Sequence, residues 1–378
     1  MRAIVKMRRT AGRRPDFQRF LRAVTTREPG PVPIGDLFAD FETVGSLLHE
    51  RVLDYAALAT QPGKLPWRVV VDGLRYIDQT IRFCLQTGWD YAYCFSLIPF
   101  PRVSHLVSDN TSPFVQRGKR VWQDDNRGPI GSWEDFERYA WPSDAHGINL
   151  MAHAMAKRVP DGLKVMVIPG GVFEWTTWLM GLVPFSFALV DQPDLVDAVI
   201  QKVSNTIYDV VEDLMDEPQV GGIFMGDDLG YASGTLVSPQ VLRGKFFPQT
   251  KRIVDLVHQA GKVFCLHTCG NVTAVMDDLC ALGIDAKHSF EDKIMHVEEA
   301  YRRWSERIAI IGGVDMNLLA SGSEEAVRRR TREILDVCGL AGHYVLGTGN
   351  SVANYLPLDN YLAMVDEGRR WNREHFRE

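Results

Sequence analysis

Short apolar, β-branched runs recur along the whole chain, each bounded by turn residues and separated by stretches of helical periodicity. Eight runs are found, at residues 32–37, 91–98, 163–168, 222–225, 263–266, 286–290, 308–311 and 344–346. Strands alternating with helices are the pattern of βα units arranged around a parallel sheet. Between the later runs, the periodicity predicts helices over 195–215, 238–259, 273–282, 297–305, 323–337 and 358–372. Ser238-Pro239 and Ser323-Glu324-Glu325 are good helix starts. A Ser cap accepts amide hydrogens that lack partners, and proline or acids suit the first turn. Eight parallel strands favour closure, because an open sheet would keep two edges. The expected fold is therefore α/β, a (β/α)8 TIM barrel in a single domain spanning residues 1–378. No G-x-G-x-x-G follows a strand, so an open dinucleotide-binding sheet lacks its signature. Residues 99–141, rich in Pro, Gly, Ser, Asn and Asp, are too many for an ordinary connection and are expected to form an insertion over the C-terminal mouth.

Composition changes this picture little. The 378 residues are 46% hydrophobic and 24% charged, enough apolar material for a large core. A formal charge of −6 gives no footprint for nucleic acid, although Arg2, Lys6, Arg8, Arg9, Arg13 and Arg14 make the start locally basic. That start continues into charge rather than an apolar stretch, so no secretory signal is expected, and no run reaches the length of a membrane span. Cys84, Cys94, Cys265, Cys269, Cys280 and Cys338 lack the even spacing of a disulfide framework. A reducing cytoplasm is the expected location, and a Cys beside a His is first a candidate for metal or nucleophilic chemistry.

In a barrel, residues just past the strand ends converge on one mouth. Polar residues of catalytic type stand at those positions: Asp36, Glu174, Asp227 and Asp228, His267 and Cys269, His288 and Glu291, Asp315, then Thr348, Asn350 and Ser351. His267-Thr-Cys-Gly270 is the sharpest signal, because an imidazole and a thiolate at one strand end can reach the same zinc. Glu174, Asp228, Glu291 and, toward a helix end, Cys338 are the candidates for a third ligand. The plainer alternative makes His267 a hydrogen-bonding group and Cys269 an inert buried thiol. Asp227 and Asp228 sit on a Gly-flanked turn where one acid can enter the mouth while the other supports the loop. Pro169-Gly-Gly171 and Gly312-Gly313 suit close approach of a substrate or simply a tight turn. Phe173, Trp175 and Trp178 suit a pocket wall or core packing.

These motifs resemble the uroporphyrinogen decarboxylase superfamily, which also holds zinc-dependent methyltransferases acting on corrinoid proteins. The resemblance covers most of the chain. It is carried by Phe17-Gln-Arg-Phe-Leu-Arg-Ala-Val with Val32-Pro-Ile, by Thr87-Gly-Trp-Asp90, by Gly226-Asp-Asp228 and by His267-Thr-Cys-Gly270. Ile311-Gly-Gly-Val-Asp315, Gly347-Thr-Gly-Asn-Ser351 and Pro357-Leu-Asp-Asn360 complete it. It implies the barrel and a homodimer. The decarboxylases' arginine-bearing N-terminal segment has no counterpart here, their catalytic Asp falls at Leu97, and their last His falls at Thr348. Decarboxylation of uroporphyrinogen is therefore disfavoured. In the methyltransferases a His-x-Cys and a distant Cys hold zinc; His267 and Cys269 match, while the distant Cys falls near Asn350.

The resemblance thus implies an enzyme that moves a methyl group between a small molecule and a corrinoid carried by a partner protein, or another carrier. His267, Cys269 and Asp228 are the expected zinc ligands, and Asp228, His267, His288 and Glu291 the expected catalytic groups. Asp36, Glu174, Asp227, Trp175, Asp315 and Asn350 are the expected substrate contacts. A second reading is a decarboxylase or lyase acting on another carboxylate, with Asp228 and His288 as acid and base. A third is a binding protein that has kept the fold and lost the chemistry.

Overall fold

Seven of the eight apolar runs form strands, and their order builds one sheet. The computed structural model describes residues 14–52, 67–101, 105–108 and 120–376; most of the basic N-terminal run and part of the 99–141 stretch lie outside the described residues. The strands are β1 (Tyr91–Phe95), β2 (Lys164–Ile168), β3 (Val220–Gly226), β4 (Val263–His267), β5 (Ala286–His288), β6 (Ala309–Ile311) and β7 (Tyr344–Val345). Each lies parallel to the next in chain order. Nearly every strand residue is buried, as expected for a parallel sheet covered on both faces.

The first run, 32–37, is not a strand. Ile34 alone bridges, to Trp89 on one side and Leu346 on the other. The Gly35 amide donates to the Leu346 carbonyl at 3.0 Å, and the Leu346 amide donates to the Pro33 carbonyl at 2.9 Å. Pro31 and Pro33 lack amide hydrogens, so this run cannot sustain a ladder. It still stands between the two edge strands, and the seven-stranded sheet curls to meet it. The result is an α/β, barrel-like architecture.

The six predicted helices form with shifted ends, as Pro193–Glu212, Pro239–Val241 running through Leu242–Phe246 into Phe247–Gln259, Thr273–Val275 with Met276–Ala281, Val297–Trp304, Glu324–Cys338 and Leu358–His375. A π-helical turn interrupts the second of them. Ser323 caps Glu324–Cys338 by accepting the Ala326 amide at 3.2 Å. Ser323→Ala is expected to cost about 1 kcal/mol, read as a lower unfolding midpoint in urea with an unchanged slope.

Helices in the first half escaped the periodicity reading, among them Phe17–Thr25, Trp67–Thr87, Leu150–Ala156, Val172–Met180 and Leu182–Asp191. Val172–Met180 and Leu182–Asp191 are apolar on most faces, which blurs a helical pattern. No single described helix is long and apolar enough to cross a bilayer. Within the 99–141 stretch, His105–Ser108 pairs antiparallel with Arg120–Gln123, and a short helix follows at Trp133–Arg138. The stretch docks on Val172–Met180 at two points: the Ile130 amide donates to the Leu179 carbonyl, and the Phe100 ring lies 4.7 Å from Trp175.

Candidate functional site

Strand register sets the site. Gly226 pairs with His267, and His267 with His288, so the C-terminal ends of β3, β4 and β5 lie side by side. Below them the Phe224 ring packs 5.9 Å from His288, giving the histidines an apolar floor. Past the strand ends, the loops after β3 and β4 touch backbone to backbone: the Asn271 amide donates to the Tyr231 carbonyl at 2.8 Å. Gly270 holds a φ of +77°, and a side chain there would meet the Gly230 backbone at 2.2 Å. Only glycine serves both demands. This contact carries Asp228 to Cys269, whose amide donates to Asp228 Oδ1 at 2.8 Å.

Three donor groups result. His267 Nε2 lies 3.3 Å from Cys269 Sγ and 3.7 Å from Asp228 Oδ1, and one ligand atom from each of the three fits within 4.8 Å of the others. Ligands held at about 2.0–2.3 Å by a tetrahedral zinc stand about 3.3–3.8 Å apart. The donor set and its spacing therefore fit zinc. The His267 side chain is 8% exposed and that of Asp228 38%, so the cluster opens outward on its acid side. Burial, with Asp228 second, pushes the Cys269 thiol up. An uncompensated thiol here stays protonated; a cation is what would draw off its proton.

Behind His267 runs a buried chain of polar groups. His267 Nδ1 lies 2.8 Å from His288 Nδ1, and His288 Nε2 lies 3.4 Å from both Asp36 Oδ1 and the Thr348 carbonyl. Asp36 accepts from the Thr348 amide at 3.0 Å and from its hydroxyl at 3.0 Å. Burial, then neighbouring positive charge, pushes both histidines down to about 3, so both are neutral at pH 7. Two neutral rings joined through Nδ1 share one proton. If His267 Nε2 offers its lone pair outward, its Nδ1–H donates to His288 Nδ1, and His288 Nε2–H turns toward Asp36 and the Thr348 carbonyl. A metal-binding histidine is usually fixed in this way by a partner on its far nitrogen.

The other predicted residues divide. Asn350 Nδ2 donates to Cys269 Sγ at 3.2 Å, so the position where the resemblance places a distant Cys does reach the site. Glu174 is half-buried in the first turn of Val172–Met180, not in a loop; burial, then Asp228 and Asp227, hold its carboxyl well above the usual range. Asp227 accepts the Phe173 and Glu174 amides at 3.2 and 2.8 Å, fixing that helix over the strand end, and burial pushes it up to about 7. A side chain on Gly171 would strike Asp227 at 2.1 Å, so this glycine serves internal packing. Asp315 caps Met316–Ser321 by accepting the Asn317 and Leu318 amides. Glu291 lines a side cleft with Gly270, Lys287 and Ser289, apart from the three clustered donors. Cys338 is buried at a helix end just before β7, away from the strand ends that carry the site. Phe173 packs in the core against Phe246 and Phe185, while Trp175 meets Phe100 and Trp178.

Lys287 was missed by the reading of strand ends. It is buried on β5, its Nζ donates to the Ser289 carbonyl and lies 4.1 Å over the Phe290 ring, and burial pushes it down to about 8. A lysine inside an apolar run, Ala286-Lys-His288, was the available signal.

A curled parallel sheet that gathers a histidine, a thiol and carboxylates past its strand ends defines an α/β barrel-type protein with an enzyme-like mouth. Residues 124–371 match the family described as Uroporphyrinogen decarboxylase (URO-D), and the chain belongs to that family. The chain is 30% identical over 98 residues to a uroporphyrinogen decarboxylase of Burkholderia thailandensis, covering 26% of each protein. It is 28% identical over 140 residues to the methylcobamide:CoM methyltransferase MtbA of Methanosarcina mazei, covering 34% of this chain and 38% of that protein. The chain thus aligns with well under half the length of these relatives. A solved methyltransferase structure from Methanosarcina mazei superposes with a TM-score of 0.69 at 17% identity, covering 93% of this chain and 98% of the other. That likeness shows the fold.

Proposed function

We propose that the chain is a methyltransferase that moves a methyl group between a small molecule and a corrinoid carried by a partner protein, or another carrier. The observation that carries this reading is the donor set of Asp228, His267 and Cys269, spaced at 3.3 and 3.7 Å around His267 Nε2. Zinc held there supplies Lewis acidity, lowering the pKa of a thiol, hydroxyl or water that joins it. His267 presents Nε2, Cys269 its sulfur, and Asp228 its carboxylate, whose Oδ1 also accepts the Cys269 amide. Asn350 donates toward the sulfur, which suits a thiolate. Similarity to the methyltransferase MtbA points the same way, as does Leu97 where the decarboxylases carry an acid.

In this reading residues 1–378 form one (β/α)8 domain, acting in the cytoplasm as a homodimer. The 99–141 insertion covers the mouth, and Trp175 against Phe100 forms part of the pocket wall. Glu174 flanks the substrate space, while Asp36 stands behind His288 and His267 and supports them.

A decarboxylase or lyase is the second reading, favoured by the Glu174 carboxyl, which burial, Asp228 and Asp227 hold well above the usual range and so suit to delivering a proton to a carbanion. Elemental analysis of protein purified without chelators or a metal-affinity tag separates the two. A difference of about one zinc per chain between wild type and Cys269→Ser is expected. Equal zinc in both proteins, or none in either, overturns the zinc-methyltransferase reading and leaves the lyase.

A further inference from the structure

A second cluster of metal-binding groups lies among the helices outside the sheet. His146 sits on Ala145–Ile148, His153 on Leu150–Ala156, and Asp213 caps the C-terminus of Pro193–Glu212, where the chain turns to enter β3. One ligand atom from each lies within 4.8 Å of the other two. His146 Nδ1 is 3.1 Å from Asp213 Oδ1, His153 Nε2 is 2.8 Å from Asp213 Oδ2, and the two imidazole rings are 4.8 Å apart.

We propose that His146, His153 and Asp213 form a second divalent transition-metal site, of the zinc class, that ties Ala145–Ala156 to the end of Pro193–Glu212. Imidazole and carboxylate donors suit zinc, with water completing four ligands. The supporting groups are already placed. His153 Nδ1 faces Glu217 Oε2 at 3.8 Å, so the nitrogen turned away from Asp213 has a carboxylate behind it. Asp213 Oδ2 accepts from Asn149 Nδ2 at 3.0 Å. Asn149 is fully buried, and is itself held by the Val210 carbonyl at 2.7 Å and Ser96 at 2.6 Å. Such backing fixes a ligand's orientation and raises its affinity.

Charge argues for the same conclusion. Asp213 and Glu217 bring two carboxylates against the two imidazoles, and a dication answers both the carboxylate charge and the ring nitrogens. None of these residues belongs to the mouth cluster, so the two sites stand or fall separately.

Equilibrium dialysis of full-length wild type and His146→Ala against zinc tests the site. His146 is 67% exposed, so its removal leaves the core untouched. Wild type is expected to bind about one more zinc per chain than His146→Ala. His153→Ala should lose the same equivalent, while Cys269→Ser should keep it. With cobalt in place of zinc, the equivalent lost in His146→Ala should contribute no thiolate charge-transfer absorption. Equal uptake by wild type and both histidine variants overturns the proposal. Equal uptake by wild type and Cys269→Ser overturns only the reading of the mouth.

Discussion

His267→Ala is expected to lower zinc affinity at the mouth by about two orders of magnitude, and His288→Leu to lower it about tenfold to a hundredfold without touching a ligand. The first figure follows from spreading about 10–16 kcal/mol of structural zinc binding over four ligands, roughly 3 kcal/mol each. The second follows from the buried chain behind His267. Its Nε2 faces Cys269 and Asp228, so its Nδ1 must carry the proton and needs an acceptor, and His288 Nδ1 at 2.8 Å is that acceptor. Leucine fills the space and accepts nothing, leaving a buried N–H unpaired. His288→Gln restores an acceptor oxygen and should recover part of the loss, a rescue that a purely packing role would not give. Competition with a chromogenic chelator reads all three variants. Zinc affinity unchanged in His288→Leu would show that the His267–His288 contact does not set the ligand.

The sequence reveals this site only in part, for a physical reason. His267 and Cys269 are two residues apart on one strand end, so local spacing alone brings them together. Asp228 was one of four candidates for a third ligand, and what selects it is the backbone contact of two loops at Gly230 and Gly270, which no local pattern encodes. Asp36 was read as facing substrate. Its partner Thr348 lies 312 residues away, and the pairing depends on sheet curling across Ile34, a run that two prolines keep from becoming a strand. Strand runs were legible because parallel strands buried on both faces are apolar throughout. The first-half helices were not, because Val172–Met180 and Leu182–Asp191 are apolar enough to lose their stripe. His146, His153 and Asp213 belong to three separate elements and converge only in space.

Asp36→Ala is expected to destabilise the fold by about 2 kcal/mol, because a buried donor left without its acceptor costs about 1–3 kcal/mol. The Thr348 amide, at 3.0 Å, loses its acceptor; the Nε2–H of His288, at 3.4 Å, keeps only the Thr348 carbonyl, and the Thr348 hydroxyl turns to the Asn350 carbonyl, all inaccessible to water. Asp36→Asn keeps one acceptor oxygen and should cost about 1 kcal/mol. The two variants also differ from wild type in their response to pH. Burial outweighs the Thr348 donors and raises the Asp36 carboxyl above its ordinary value. Between that ordinary value, about 3.9, and the raised one, the folded chain holds a proton that the unfolded chain has released. Asp36 therefore contributes most to stability at acid pH, and the contribution falls as pH rises through this window. Asp36→Asn carries no ionisable group, so its stability relative to wild type should improve over the same range. Thermal unfolding at a series of pH values measures both effects. A midpoint for Asp36→Ala equal to wild type, or a wild-type minus Asn difference that does not change with pH, would remove Asp36 from the chain that holds His288 in place.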